Sequence, residues 1–171
     1  TYEGKPYVTI GDGIPEFSEA DKEKDVFETY GELDELGRCT TAYAKIGVEL
    51  MPNRSRGDIY MIKPTAWQSS RYDFVEGQSL YNRSHLIAHQ LAGEDANERN
   101  LITGTRYMNA EGMLSFEEMV GDFVRETKMH VLYRVTPHFE GDNLLASGVE
   151  MEAYSVEDDG EGICFHIYVF N

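Results

Sequence analysis

Three features of the sequence predict an α+β fold, a mostly antiparallel sheet with one long helix packed on it. Residues 130–170 read as three strands separated by polar turns. Residues 108–127 change to a helical period. The chain upstream of them carries only short strand-like runs between breakers.

In chain order, "YVTI" at 7–10 alternates like a short strand, and "GDGIP" ends it. "SEADKEKDVFETY", from Ser18, opens on a capping residue followed by Asp21, which predicts a short acidic helix over 18–30. "RCTTAYAKI" at 38–46 and "RYDFV" at 71–75 read as strands. "NLITGT" at 100–105 reads as a buried strand stopped by Gly104. Between Met108 and Thr127, Met113, Phe116, Val120 and Phe123 recur at helical spacing, with Met119 and Val124 beside them. Gly112 and Gly121 weaken that helix. The closing β-meander is "HVLYRVTPHF" (130–139), "LLASGVEMEAYSV" (144–156) and "ICFHIYVF" (163–170). No repeat, low-complexity tract or linker divides the 171 residues, so one domain is expected over 1–171.

An apolar content of 41% is that of a chain able to bury a core, and no apolar run is long enough to span a membrane. Two cysteines, Cys39 and Cys164, are too few for a disulfide scaffold; they could pair, or be two buried thiols. The net charge of -16 argues at first against a nucleic-acid partner. Its distribution tells otherwise. Residues 1–35 hold 11 acids and 3 bases, and residues 111–171 hold 13 acids and 3 bases. Residues 36–110 hold 7 acids and 9 bases, net +2, and the bases are mostly arginines: Arg38, Arg54, Arg56, Arg71, Arg83, Arg99 and Arg106. Guanidinium forks suit bidentate phosphate contacts.

The stretch "YNRSHLIAHQ" (81–90) places His85 and His89 four residues apart. A zinc-protease helix has that spacing with Glu after the first His, but Leu86 stands there. On a strand the two would share a face about 13 Å apart. Zinc chelation is therefore not expected; catalytic base or packing remains for His85, and packing is the default for His89, His130, His138 and His166. Downstream, "ERNLITGTRYMNAEGMLSFEE" presents Asn100, Arg106, Asn109 and Glu117 around one turn and one helix. Singly, Asn109 reads as a helix cap and Glu117 as a solvated carboxylate. Together, a neutral base, an amide oxygen, a carboxylate and arginines are the parts of a magnesium-assisted phosphodiesterase.

"LYNRSHLIAHQL" followed by "NLITGTRYMNAEGML" resembles the bacterial DNA/RNA non-specific endonucleases of the ββα-metal, or His-Me finger, superfamily, with the nearest likeness to the secreted streptococcal DNases and DNA-entry nucleases. The likeness runs over nearly the whole chain. It implies that His85, last residue of a motif commonly written DRGH, is the general base, with Asn109 the metal ligand and Asn100 orienting the site. A carboxylate anchoring metal-bound water maps to Glu117, with Glu118 its competitor. Regular α-helical spacing puts Asn109 and Glu117 about 80° apart around the axis and about 12 Å along it. So either Glu117 acts only through water or the helix start is irregular. Asn82 and Ser84 depart from the Asp and Gly of the motif. The resemblance further implies Mg²⁺, with Mn²⁺ able to substitute, DNA and also RNA as substrates, and secretion. From the basic middle segment we expect Arg71, Arg83 and Arg106 to clamp the scissile phosphate. Two other readings stand beside the secreted nuclease: an antibacterial toxin domain with a cognate immunity protein, and a noncatalytic nucleic-acid-binding or surface protein on the same fold.

Overall fold

The computed structural model describes residues 4–67, 81–94 and 96–171; the strand expected at 71–75 and Arg71 lie outside them. A six-stranded sheet runs in the order β1-β8-β7-β6-β3-β2, every neighbour antiparallel. Its strands are β1 (Tyr7–Thr9), β2 (Phe27–Tyr30), β3 (Ala42–Ile46), β6 (Val131–His138), β7 (Gly148–Ser155) and β8 (Cys164–Phe170). A separate hairpin pairs β4 (Tyr81–His85) with β5 (Leu101–Thr105). Three helices accompany them: α1 (Glu19–Glu23), α2 (His89–Ala92) and α3 (Leu114–Thr127), the last preceded without a break by a π-helical segment, Tyr107–Met113. β3 pairs with β6 although the hairpin and the long helix lie between them in the chain. The ββα unit is thus an excursion from the large sheet, which serves as its platform.

The sheet earns its inner face by alternation. Val131, Tyr133 and Val135, then Val149, Met151 and Ala153, then Phe165, Ile167 and Val169 are all buried in one cluster with the helix residues Met113, Phe116, Val120 and Val124. The Phe116 ring lies edge-on to Tyr7 at 4.9 Å and tilted to Phe165 at 5.0 Å, which joins helix and sheet. Val124, rather than Phe123, completes the stripe, and Met119 is 47% exposed. Gly112 sits where the helix comes closest to β8: a Cβ there would stand 2.3 Å from Val169 Cγ1. The residue that weakens the helix signal in the sequence is the one that lets the helix dock.

Three other expectations are corrected. The acidic helix does begin after Ser18, whose Oγ accepts from the Asp21 N–H at 3.1 Å, but it ends at Glu23. There Lys45, on the neighbouring strand, donates to the carbonyls of Lys22 and Lys24, and "FETY" becomes β2, pairing with β3. Gly104 does not stop its strand; it lies within β5, opposite Asn82. A Cβ at Gly104 would meet Ser84 Oγ and Met108 Cε at 2.2 and 2.7 Å, so its absence makes room for the serine of β4 and the first turn of the helix. Cys39 and Cys164 do not pair, and only Cys39 is buried.

Candidate active site

His85 is the last residue of β4, paired with Leu101 at the end of the hairpin where the chain leaves the ladder. Leu86 and Ile87, both fully buried, anchor the next step. Asn100 fixes it. Its Oδ1 accepts from the Ile87 N–H at 2.9 Å, its Nδ2 donates to the Ile87 carbonyl at 3.0 Å, and its own carbonyl accepts from the Leu86 N–H at 2.9 Å. Asn100 is fully buried and absent from the cleft wall. Its place is behind His85, bonded to the backbone of the two residues that follow the imidazole. His89 opens α2, with Nε2 at 3.3 Å from the Arg54 carbonyl; His85 and His89 share no helix face.

The other half of the site comes from the helix start. Thr105 Oγ1 accepts from the Met108 N–H at 3.0 Å and launches the helix directly from β5. The first turns are π-helical, and the Leu114 N–H reaches back to the Asn109 carbonyl, five residues away. That irregularity decides the geometry. Two regular α-turns consume about 7.2 residues, so the eight-residue step from 109 to 117 overshoots by most of a residue. A π-turn takes up about one residue more than an α-turn. Asn109 and Glu117 are thereby brought onto the same side of the helix, and both line one cleft of about 430 Å³.

That cleft is walled by Arg56, Asn82, His85, Arg106, Asn109 and Glu117, among others. Arg56 donates through Nη2 to His85 Nδ1 at 3.2 Å. With Nδ1 accepting, the neutral ring carries its proton on Nε2, an assignment made from the hydrogen bond. Glu117 is buried at the floor, whereas Glu118 is exposed. Burial pushes the Glu117 carboxyl up to about 7, against the pull of the Arg56 charge and with a smaller push from Glu118. The Asn109 amide oxygen and the Glu117 carboxylate, only partly offset by Arg56, are donors of the kind a hard divalent cation takes, with few protein ligands and its waters kept.

The arginines divide. Arg106 and Arg56 line the cleft. Arg83 does not offer its fork to it: Nε donates to the Ile62 carbonyl at 2.5 Å, Nη2 to the Tyr60 carbonyl at 2.7 Å, and the guanidinium lies 4.0 Å from the Trp67 ring centroid. It holds the 60–62 loop in place beside the site. Arg56 was not singled out from the sequence. It sits in the irregular run "NRSRGD", with no periodicity to aim it, and only the basic character of residues 36–110 pointed in its direction.

A family model described as DNA/RNA non-specific endonuclease matches residues 18–157. The chain belongs to that family. As a member it is a nuclease, and the hairpin and long helix are its ββα unit. This endonuclease is similar in fold to NucA from Streptococcus agalactiae, in a metal-free structure (22% identity, TM-score 0.82, covering 100% of this chain and 81% of NucA) and in a magnesium-bound one (24%, 0.80, 95% and 78%). It is also similar to Sda1 nuclease with bound zinc (24%, 0.78, 98% and 90%) and to a protein described as an extracellular endonuclease (19%, 0.59, 98% and 80%). No curated protein matches the sequence. Among the described residues, no helix is long and apolar enough to cross a membrane.

Proposed function

We propose that this endonuclease hydrolyses phosphodiester bonds of DNA, and also of RNA, by a water that His85 deprotonates, with Mg²⁺ as its cofactor. The observation that carries the reading is the convergence of His85, Asn109 and Glu117 on one cleft, brought about by the π-helical start. Neutral imidazole takes the proton of the attacking water on Nδ1, the nitrogen that now accepts from Arg56. As the new P–O bond forms, the bond to the leaving oxygen breaks. Asn109 would hold the cation through its amide oxygen, and Glu117 would hold it through a bound water. Bound there, a divalent cation stabilises the charge that builds on the phosphate and its leaving oxygen. Arg106 and Arg56 add fixed positive charge where the phosphate approaches, and Asn100 keeps the His85 backbone from turning away.

Mg²⁺ is chosen because the donors are oxygens and few; Mn²⁺ meets the same demand. The magnesium-bound form of NucA supports this choice, and the similarity to an extracellular endonuclease supports secretion. The one hydrophobic cluster among the described residues supports reading residues 1–171 as one catalytic domain. The test is digestion of plasmid DNA and of RNA over a Mg²⁺ titration, with and without EDTA, for the native chain and Asn109→Ala. The reading expects cleavage of both polymers, abolition by EDTA, and a raised half-saturating Mg²⁺ concentration in the variant. An unchanged half-saturation would reduce Asn109 to a helix residue; undigested RNA would limit the substrate to DNA.

A further inference from the structure

A cluster of imidazole and carboxylate side chains lies on β6, β7 and β8, away from the cleft. Glu150 and Glu152 on β7, and His166 on β8, alternate with the buried Met151 and Ile167, so they stand on the face of the sheet opposite the core cluster. His166 is the cross-strand partner of Glu152 and lies diagonal to Glu150. Ligand atoms from these three side chains all lie within 4.8 Å of one another. His166 Nε2 is 2.5 Å from Glu150 Oε2 and 3.9 Å from Glu152 Oε2. From β6, His138 Nε2 approaches the other oxygen of Glu150 at 2.9 Å. Two imidazoles thus converge on one carboxylate, with a second carboxylate beside them.

We propose that Glu150, Glu152 and His166, with His138 as the fourth donor, form a binding site for Zn²⁺ on the outer face of the sheet. Metal–ligand bonds of about 2.0–2.2 Å place the ligand atoms of a tetrahedral site roughly 3.3 Å apart. The observed His166 spacings of 2.5 and 3.9 Å bracket that figure, while His138, 2.9 Å from Glu150, lies outside the three-residue cluster and closes on the ion by turning its ring. The platform is rigid, being three neighbouring strands of a continuous ladder. Glu152 is also held from behind. Its two oxygens accept from Arg134 Nε and Nη2, each at 2.8 Å, which fixes the carboxylate as an outer-shell partner does in a metal site. The donor set separates this site from the cleft. Mixed imidazole and carboxylate ligands favour Zn²⁺, whereas Mg²⁺ selects oxygen. The ion would tie together the strands on which the nuclease helix rests. Without it, the same residues are a plain ion-pair ladder.

The test is zinc retained per chain after equilibrium dialysis in excess Mg²⁺, together with Tm with and without Zn²⁺. The native chain should retain zinc and melt higher in its presence. His166→Ala and His138→Ala should each weaken retention by about tenfold or more and abolish the rise in Tm, while their Mg²⁺-dependent DNA cleavage stays at the native level. That unchanged cleavage shows that the variants are folded, and Glu150→Gln provides a third reading should either histidine variant fail to fold. A native chain that retains no zinc in excess Mg²⁺, or variants that retain as much as the native chain, would overturn the proposal.

Discussion

The guanidinium of Arg56 meets Nδ1 of His85 at 3.2 Å across a cleft whose floor is Glu117. One exposed arginine thus touches the His85 imidazole and offsets the buried carboxylate. Arg56→Ala should lower turnover on saturating DNA about tenfold or more, because fixed charge aimed at a reacting phosphate acts in the transition state. Unchanged turnover at saturating substrate would make Arg56 an ordinary surface cation.

Arg106 and Arg83 should separate in the same assay. Arg106 lines the cleft, so Arg106→Ala should reduce the slope of log affinity against log salt by about 0.9, the value for one lost phosphate contact. Arg83 spends its fork on two loop carbonyls and a Trp67 face. Arg83→Ala loses those loop contacts but no phosphate contact, so it should lower Tm and leave the salt slope unchanged. The reverse pattern would show that Arg83 is the phosphate contact.

For Asn100 the expected cost is in stability as well as rate. Asn100→Ala leaves the Ile87 N–H and carbonyl without their side-chain partners in a fully buried place. Denaturant titration should show a loss of about 1–3 kcal/mol. Turnover should also fall, because the His85 backbone is no longer clamped. A variant as stable as the native chain would mean that the buried amide is replaceable.

Stability should also depend on pH through His130. Burial disfavours its charge, but the carboxylates of Glu49 and Glu157, at 3.0 and 2.5 Å, outweigh burial and raise its pKa. A raised folded-state value means that the charged ring stabilises the fold fully below the unfolded pKa of about 6.5, and that this contribution is lost as pH rises through the folded value. His130→Ala should therefore lower Tm more in mildly acidic buffer than in mildly alkaline buffer. Equal losses at both would show that the ring acts only by packing.

How much of this was legible in the sequence differs from element to element. The meander was readable because Val149, Met151 and Ala153 alternate without interruption, and polar turns mark its ends. The long helix was readable from Met113, Phe116 and Val120, but its π-helical start was not. A period of 3.6 offers no sign of one added residue, and only the mismatch between Asn109 and Glu117 hinted at irregularity. "FETY" misled because a capping signal says where a helix begins and nothing of where Lys45 will end it. The catalytic candidates were legible through resemblance, since His85, Asn109 and Glu117 sit in a motif. Arg56 lies in an irregular run, and its role depends on long-range placement.

The central claim is that His85 is the base, and turnover of His85→Ala on plasmid DNA at saturating Mg²⁺ tests it most directly. The account predicts a folded protein whose rate falls about a hundredfold or more, with part of the rate restored by imidazole in the buffer. A folded variant that cleaves at the native rate would contradict it.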